Sequence, residues 1–186
     1  DGLVPSGGAA MLVLESLEHA RARGADIYAE VLGYACSSNG DHLSSPTVDG
    51  PAWCMSRALK VADVAPNEVD FVSAHATSTP VGDRQEGLAI LRTFGGETPP
   101  VTSTKSLTGH ECWMSGASEL VYSLLMMRDG FIAPNQNLQQ LDEALTGLDV
   151  SGAPRDQRPR TILSNSFGFG GTNSALVLRG MERTTG

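Results

Sequence analysis

Apolar and polar positions recur along the chain with two different periods, and each predicts its own kind of element. Residues 8–16 (Gly-Ala-Ala-Met-Leu-Val-Leu-Glu-Ser) are a nearly continuous apolar run, followed by a charged stretch that Gly24 ends. That pattern predicts a buried strand and then a short surface helix. Ile27 to Ser37 alternates loosely before dissolving into Ser-Ser-Asn-Gly-Asp-His-Leu-Ser-Ser-Pro, a strand and a long loop. From Pro51 to Val64 the apolar residues Ala52, Met55, Leu59 and Ala62 fall at helical spacing, with Arg57 and Lys60 off the stripe. Val69 to Ala74 predicts a short strand. Asp83, with Glu86 three residues on, reads as the start of a helix closed by a capping box.

Pro100 to Thr104 predicts another strand, and Ser115 to Met127 a helix apolar nearly all round, with Glu119 its only formal charge. Such a helix is expected in the core. Asn135 to Asp149 reads as a polar connection with a short helical turn. Thr161-Ile162-Leu163-Ser164 and Ser174 to Leu178 read as strands flanking a glycine-rich loop. Alternating strands and helices predict an α/β fold with a mixed sheet and helices packed on it, because crossover helices cover the apolar sheet faces.

Composition narrows the function classes. With 186 residues and 40% hydrophobic residues the chain is long enough for one folded domain. A net charge of −8 and the lack of a basic run argue against nucleic-acid binding. No apolar stretch reaches membrane-spanning length, so no membrane partner is expected. Cys36, Cys54 and Cys112 are odd in number and widely spaced, which fits a reducing, cytoplasmic setting and neither a disulfide framework nor a metal site. The chain opens at Asp1-Gly2 with neither an initiator methionine nor a signal-peptide pattern, and it is expected to be incomplete.

Three polar clusters follow apolar runs, at the strand ends where α/β sheets hold their sites: 73–79, 103–110 and 165–173. His75 directly follows a predicted strand and reads either as a satisfied structural histidine or as a proton carrier. His110 precedes the apolar helix, where a neutral imidazole can direct an N–H at developing charge. Two such donors on one oxygen would stabilise an enolate or oxyanion. Lys105 and Glu119, each isolated among uncharged residues, are expected to pair. Gly168-Phe169-Gly170-Gly171-Thr172-Asn173 lies between two predicted strands and lacks a Gly-Lys-Ser/Thr ending, so it reads as a sharp turn with free N–H groups and not as a phosphate loop. Among possible nucleophiles only Cys112, near His110, invites attention, and no acid is evident to orient a base for Ser78 or Ser166. The residues supply stabilisers of negative charge without an obvious nucleophile.

The three clusters together resemble the β-ketoacyl-acyl-carrier-protein synthases, condensing enzymes of the thiolase-like superfamily. Ala74-His75-Ala76-Thr77-Ser78-Thr79-Pro80-Val81-Gly82-Asp83 looks like the family's His-Gly-Thr-x-Thr-x-x-Gly-Asp segment. Lys105 to His110 resembles its lysine and second-histidine segment, and Asn165 to Asn173 its Asn-x-Phe-Gly-Phe-Gly-Gly-x-Asn loop. The resemblance runs from about Gly7 to Arg179 and implies a thiolase-like half domain over residues 1–180 with a tail at 181–186. The half that carries the nucleophilic cysteine would be absent.

By this resemblance the function is decarboxylative condensation of an acyl thioester with malonyl-acyl-carrier protein in fatty-acid or related chain elongation. His75 and His110 would hold the enolate oxygen, and Lys105 and Glu119 would form the supporting charged pair. The Phe169 backbone N–H would serve an oxyanion hole and its ring the acyl gate. Thr77 and Thr79 would hold the pantetheine arm, with Phe167 and Gly168 also at the substrate. No cofactor is implied beyond phosphopantetheine delivered on acyl-carrier protein, the expected partner; the full-length enzyme would be a homodimer. This chain alone is expected to be inactive. A noncatalytic thiolase-fold partner and a carrier-protein-binding half domain are the alternatives. Two departures stand out: Ala76 replaces the usual glycine, and Glu111-Cys112-Trp113-Met114 replaces commonly small residues.

Overall fold

The computed structural model describes residues 2–181. Of the predicted tail, residues 182–186 lie outside that range. Five strands form one mixed sheet: β1 (Ala29–Ser38), β2 (Phe71–Ser73), β3 (Val101–Thr102), β4 (Thr161–Gly168) and β5 (Thr172–Gly180), in the spatial order β1-β5-β4-β2-β3. β5 runs antiparallel to both β1 and β4, whereas β2 is parallel to both β3 and β4. The carboxyl ends of the three parallel strands therefore lie along one edge, and the three polar clusters begin there.

Helices cover both faces. α2 (Asp49–Ala62) and α3 (Pro80–Phe94) pack on one side, and α5 (Ser115–Asp129) on the other. The stripe of α2 points inward as its spacing requires: Ala52, Met55, Ala58 and Leu59 are buried, and Arg57 and Lys60 are exposed. Its close approach to β1 depends on Gly33, where an added Cβ would lie 2.6 Å from the Ala58 carbonyl oxygen. Strand alternation divides the core in two. Val72, Leu163 and Val177 face α2 and α3 with Met55 and Ile90, while Phe71, Ile162 and Leu178 face α5 with Met126, Met127 and Ile132.

Three expectations are corrected. Residues 8–16 form no strand: Met11, Val13 and Leu14 are 89%, 79% and 80% exposed, and the charged stretch beyond them is the short helix α1 (Leu17–Ala22). The apolar run has the composition of a buried strand, but no sheet edge among the described residues receives it. The second correction is α3, which starts three residues before Asp83. Pro80 takes its first turn, where no intrahelical N–H is needed, and Glu86 turns away from the helix end. In α5 the most deeply buried face is Ser115, Ser118, Glu119, Ser123, Met126 and Met127, while Val121 and Leu125 remain half-buried. The helix is covered on one side, so its apolar surroundings in sequence overstated its burial.

Candidate active site

His75 stands two residues beyond β2, and its backbone is held from α3. The Glu86 carboxylate accepts the N–H of His75 at 2.9 Å and of Ala76 at 2.7 Å, and also the side-chain amide of Asn165 at 3.2 Å. Burial raises the Glu86 pKa, and those N–H groups oppose the rise. One carboxylate thus ties the chain just beyond β2 to Asn165 within β4. The spacing of Glu86 from Asp83 is that of a helix cap, and nothing local in the sequence signals these longer-range bonds.

His110 is reached through the short helix α4 (Lys105–Thr108) and Gly109. Its backbone N–H donates to the Val4 carbonyl at 2.7 Å, and its carbonyl accepts the Ser6 N–H at 2.9 Å. Residues 4–6 are therefore a strap across the histidine. Gly109, at φ +75°, is needed here, since an added Cβ would come within 2.8 Å of the Val4 oxygen. The strap carries no sequence signal, because its contacts are made by backbone atoms.

The two imidazoles meet. Their ring centroids lie 5.5 Å apart with planes at 86°, and the Phe167 ring is 6.0 Å from His75. Burial lowers the His75 pKa to about 3, with further lowering from the Lys105 charge and then from His110. The His110 pKa is also lowered, by burial and then by Lys105. Both rings are therefore neutral at pH 7 and able to donate without carrying charge. Lys105 pairs with Glu119 through Nζ and Oε1, their side chains 5% and 2% exposed. Burial raises the Glu119 carboxyl and Lys105 opposes it.

His75 and His110 line a cleft of about 490 Å³, together with Thr77, Thr79, Phe167, Gly168 and Phe169. The Thr77 and Thr79 hydroxyls lie 3.1 Å apart, and Phe169 is 80% exposed at the mouth. The glycine-rich loop is a turn joining β4 to β5, with Gly170 and Gly171 at φ +79° and +72°. Lys105 and Glu119 sit behind the histidines and outside the cleft lining. Of the cysteines, Cys54 is buried, its thiol raised to about 11 by burial, and Cys36 is exposed. Only Cys112 lines the cleft, with its thiol donating to the His110 carbonyl at 3.5 Å. Among the described residues no group of three His, Cys, Asp or Glu side chains is arranged to hold a metal ion. The arrangement provides two uncharged N–H donors in a partly enclosed cleft, suited to an oxygen that gains negative charge.

Residues 28–139 match the family described as beta-ketoacyl synthase, C-terminal domain. The chain belongs to the β-ketoacyl synthase family. It is 46% identical over 182 residues to 3-oxoacyl-[acyl-carrier-protein] synthase 1 of Escherichia coli (strain K12), covering 98% of this chain and 44% of that protein. Among solved structures, the ishigamide ketosynthase/chain length factor superposes with a TM-score of 0.93 at 38% identity, over 97% of this chain and 45% of the other. A type II PKS acyl-carrier protein in complex with its ketosynthase gives 0.85 at 36% identity, over 90% and 42%. The chain spans less than half the length of these relatives. Within this β-ketoacyl synthase domain the two departures have distinct settings. Ala76 is held by Glu86, while Glu111 is buried and accepts the Tyr122 hydroxyl at 2.7 Å. Trp113 is fully exposed beside the cleft with φ +55°.

Proposed function

We propose that this chain is the histidine-bearing half of a β-ketoacyl-acyl-carrier-protein synthase, which joins an acyl thioester to malonyl-acyl-carrier protein with loss of carbon dioxide. The observation that carries the reading is the pair of neutral imidazoles, 5.5 Å apart in one cleft. As the malonyl carboxyl leaves, the electron pair of its bond to the α-carbon moves toward the thioester oxygen. N–H donors from His75 and His110 on that oxygen would stabilise the enolate without a competing positive charge. The enolate carbon then attacks the acyl carbon, a carbon–carbon bond forms, and the acyl-bearing cysteine leaves as thiolate.

That cysteine would lie on a segment other than this chain. Cys54 is buried with a raised pKa, Cys36 has no basic neighbour in the sequence, and the Cys112 thiol is engaged by the His110 backbone carbonyl. Lys105 and Glu119 would support the histidines electrostatically from behind. The Phe169 N–H would serve the oxyanion of the acyl-transfer step, with its ring at the entrance. Thr77 and Thr79 would hold the pantetheine arm, with Phe167 and Gly168 beside it. Phosphopantetheine would arrive on acyl-carrier protein, so no separate cofactor is invoked. The bare apolar run at 8–16 and the half-covered face of α5 would pack against the nucleophile-bearing half, in a cytoplasmic homodimer.

The test is malonyl-acyl-carrier-protein decarboxylation by the longer enzyme. His75→Ala or His110→Ala should each lower kcat by about 10²–10³, and the 186-residue chain alone should form no acyl adduct by intact mass. Undiminished decarboxylation in both variants, or an acyl adduct on Cys112, would contradict the reading. A noncatalytic subunit is the competing reading, since one structural relative is named as a ketosynthase/chain length factor; retention of both imidazoles in a cleft favours the catalytic one.

A further inference from the structure

Ser115, the first residue of α5, is buried at 8% exposure, and its Oγ lies 2.9 Å from His110 Nδ1. The two are five positions apart, a spacing at which side chains on a continuous helix would not meet. They meet because residues 111–114 form a turn, with Trp113 at φ +55°, that returns the chain toward the imidazole before α5 begins. The Tyr122 hydroxyl, bonded to the buried Glu111, fastens the same turn to the side of α5.

Either ring nitrogen of a neutral histidine can hold its proton, and the partner of one decides the state of the other. Among the described residues, His110 Nδ1 is the hydrogen-bond partner of Ser115 Oγ, and the hydroxyl has no second one. If Nδ1–H donated to Oγ, the buried hydroxyl proton would be left without an acceptor. If the hydroxyl donates to Nδ1, that proton is satisfied and the ring proton sits on Nε2. We infer that Ser115 is a positioning residue: its hydroxyl fixes His110 as the Nε2–H tautomer and leaves that N–H as the donor presented to a ligand in the cleft.

The consequence for catalysis rests on the proposed condensation; the tautomer does not. Imidazole ¹⁵N NMR of the 186-residue chain should show His110 with a pyridine-like Nδ1 and a protonated Nε2. Ser115→Ala should shift the Nδ1 signal and mix the tautomers, and Ser115→Thr, which keeps the hydroxyl, should restore the wild-type pattern. In the longer enzyme Ser115→Ala should lower kcat for malonyl decarboxylation about tenfold with KM within about twofold, and Ser115→Thr should recover the rate. A wild-type Nδ1–H tautomer, or a Ser115→Ala spectrum identical at His110 to wild type, would overturn the inference. The expected tautomer pattern in an enzyme that does not decarboxylate would instead support the role of Ser115 and refute the proposed function.

Discussion

Glu86 holds the peptide that carries His75: its carboxylate, buried at the middle of α3, accepts the His75 N–H at 2.9 Å. The same carboxylate takes the Ala76 N–H at 2.7 Å, so two donors at the end of β2 depend on one side chain. Glu86→Ala should leave both donors unsatisfied and cost about 3 kcal/mol, read from urea unfolding. Glu86→Gln, which retains one acceptor oxygen, should cost less. Equal stability of Glu86→Ala and wild type would show that these bonds contribute nothing.

Lys105 and Glu119 form a buried ion pair. Removing one partner strands the other, so Lys105→Met and Glu119→Leu should each destabilise the chain by about 3–5 kcal/mol. The double variant should lose much less than the sum, because no uncompensated charge remains. Additive single effects in that double-mutant cycle would contradict a direct pairing.

The approach of residues 4–6 to Gly109 leaves no room for a methyl group. Gly109→Ala combines a positive φ with an oxygen 2.8 Å from the new carbon. The strap should lift from His110, a loss of about 1–3 kcal/mol. Amide hydrogen exchange should accelerate at His110 and Ser6 while remaining unchanged at Val177 in the core. Unaltered exchange at His110 would remove the strap from the account.

His75 links stability to pH with a definite sign. Its folded pKa of about 3 lies below the ordinary value of 6.5, so between those values the unfolded chain takes up a proton that the folded chain refuses. The His75 contribution is fully present above about pH 6.5 and is lost progressively on acidification toward pH 3. The raised carboxyl pKa values of Asp83, Glu86 and Glu119 act in the opposite sense, so the term is isolated by comparison with a variant. Wild type should lose stability relative to His75→Gln by up to about 1.4 kcal/mol per pH unit across that window. Parallel stability–pH curves for the two would contradict the depressed pKa.

Elements whose burial is set by their own periodicity were legible in the sequence. The stripe of α2 and the β4–β5 hairpin lie where the pattern put them, the strands extending farther than the apolar cores suggested. The spacing of Asp83 and Glu86 misled because a helix cap and a carboxylate reaching back to a strand end present the same residues. Residues 8–16 misled because apolarity records that a surface is to be covered and not what covers it. The Val4–His110 strap and the Ser115–His110 contact were not legible: the first uses backbone atoms alone, and the second depends on a turn at Trp113 that propensity does not favour.

The central claim is that His75 and His110 face the cleft as neutral donors, and ¹H–¹⁵N NMR titration of the two imidazoles tests it directly. His75 should remain neutral down to about pH 3 and His110 should titrate below 6.5, so that neither ring carries charge at pH 7. An imidazolium at either position at pH 7 would contradict the account.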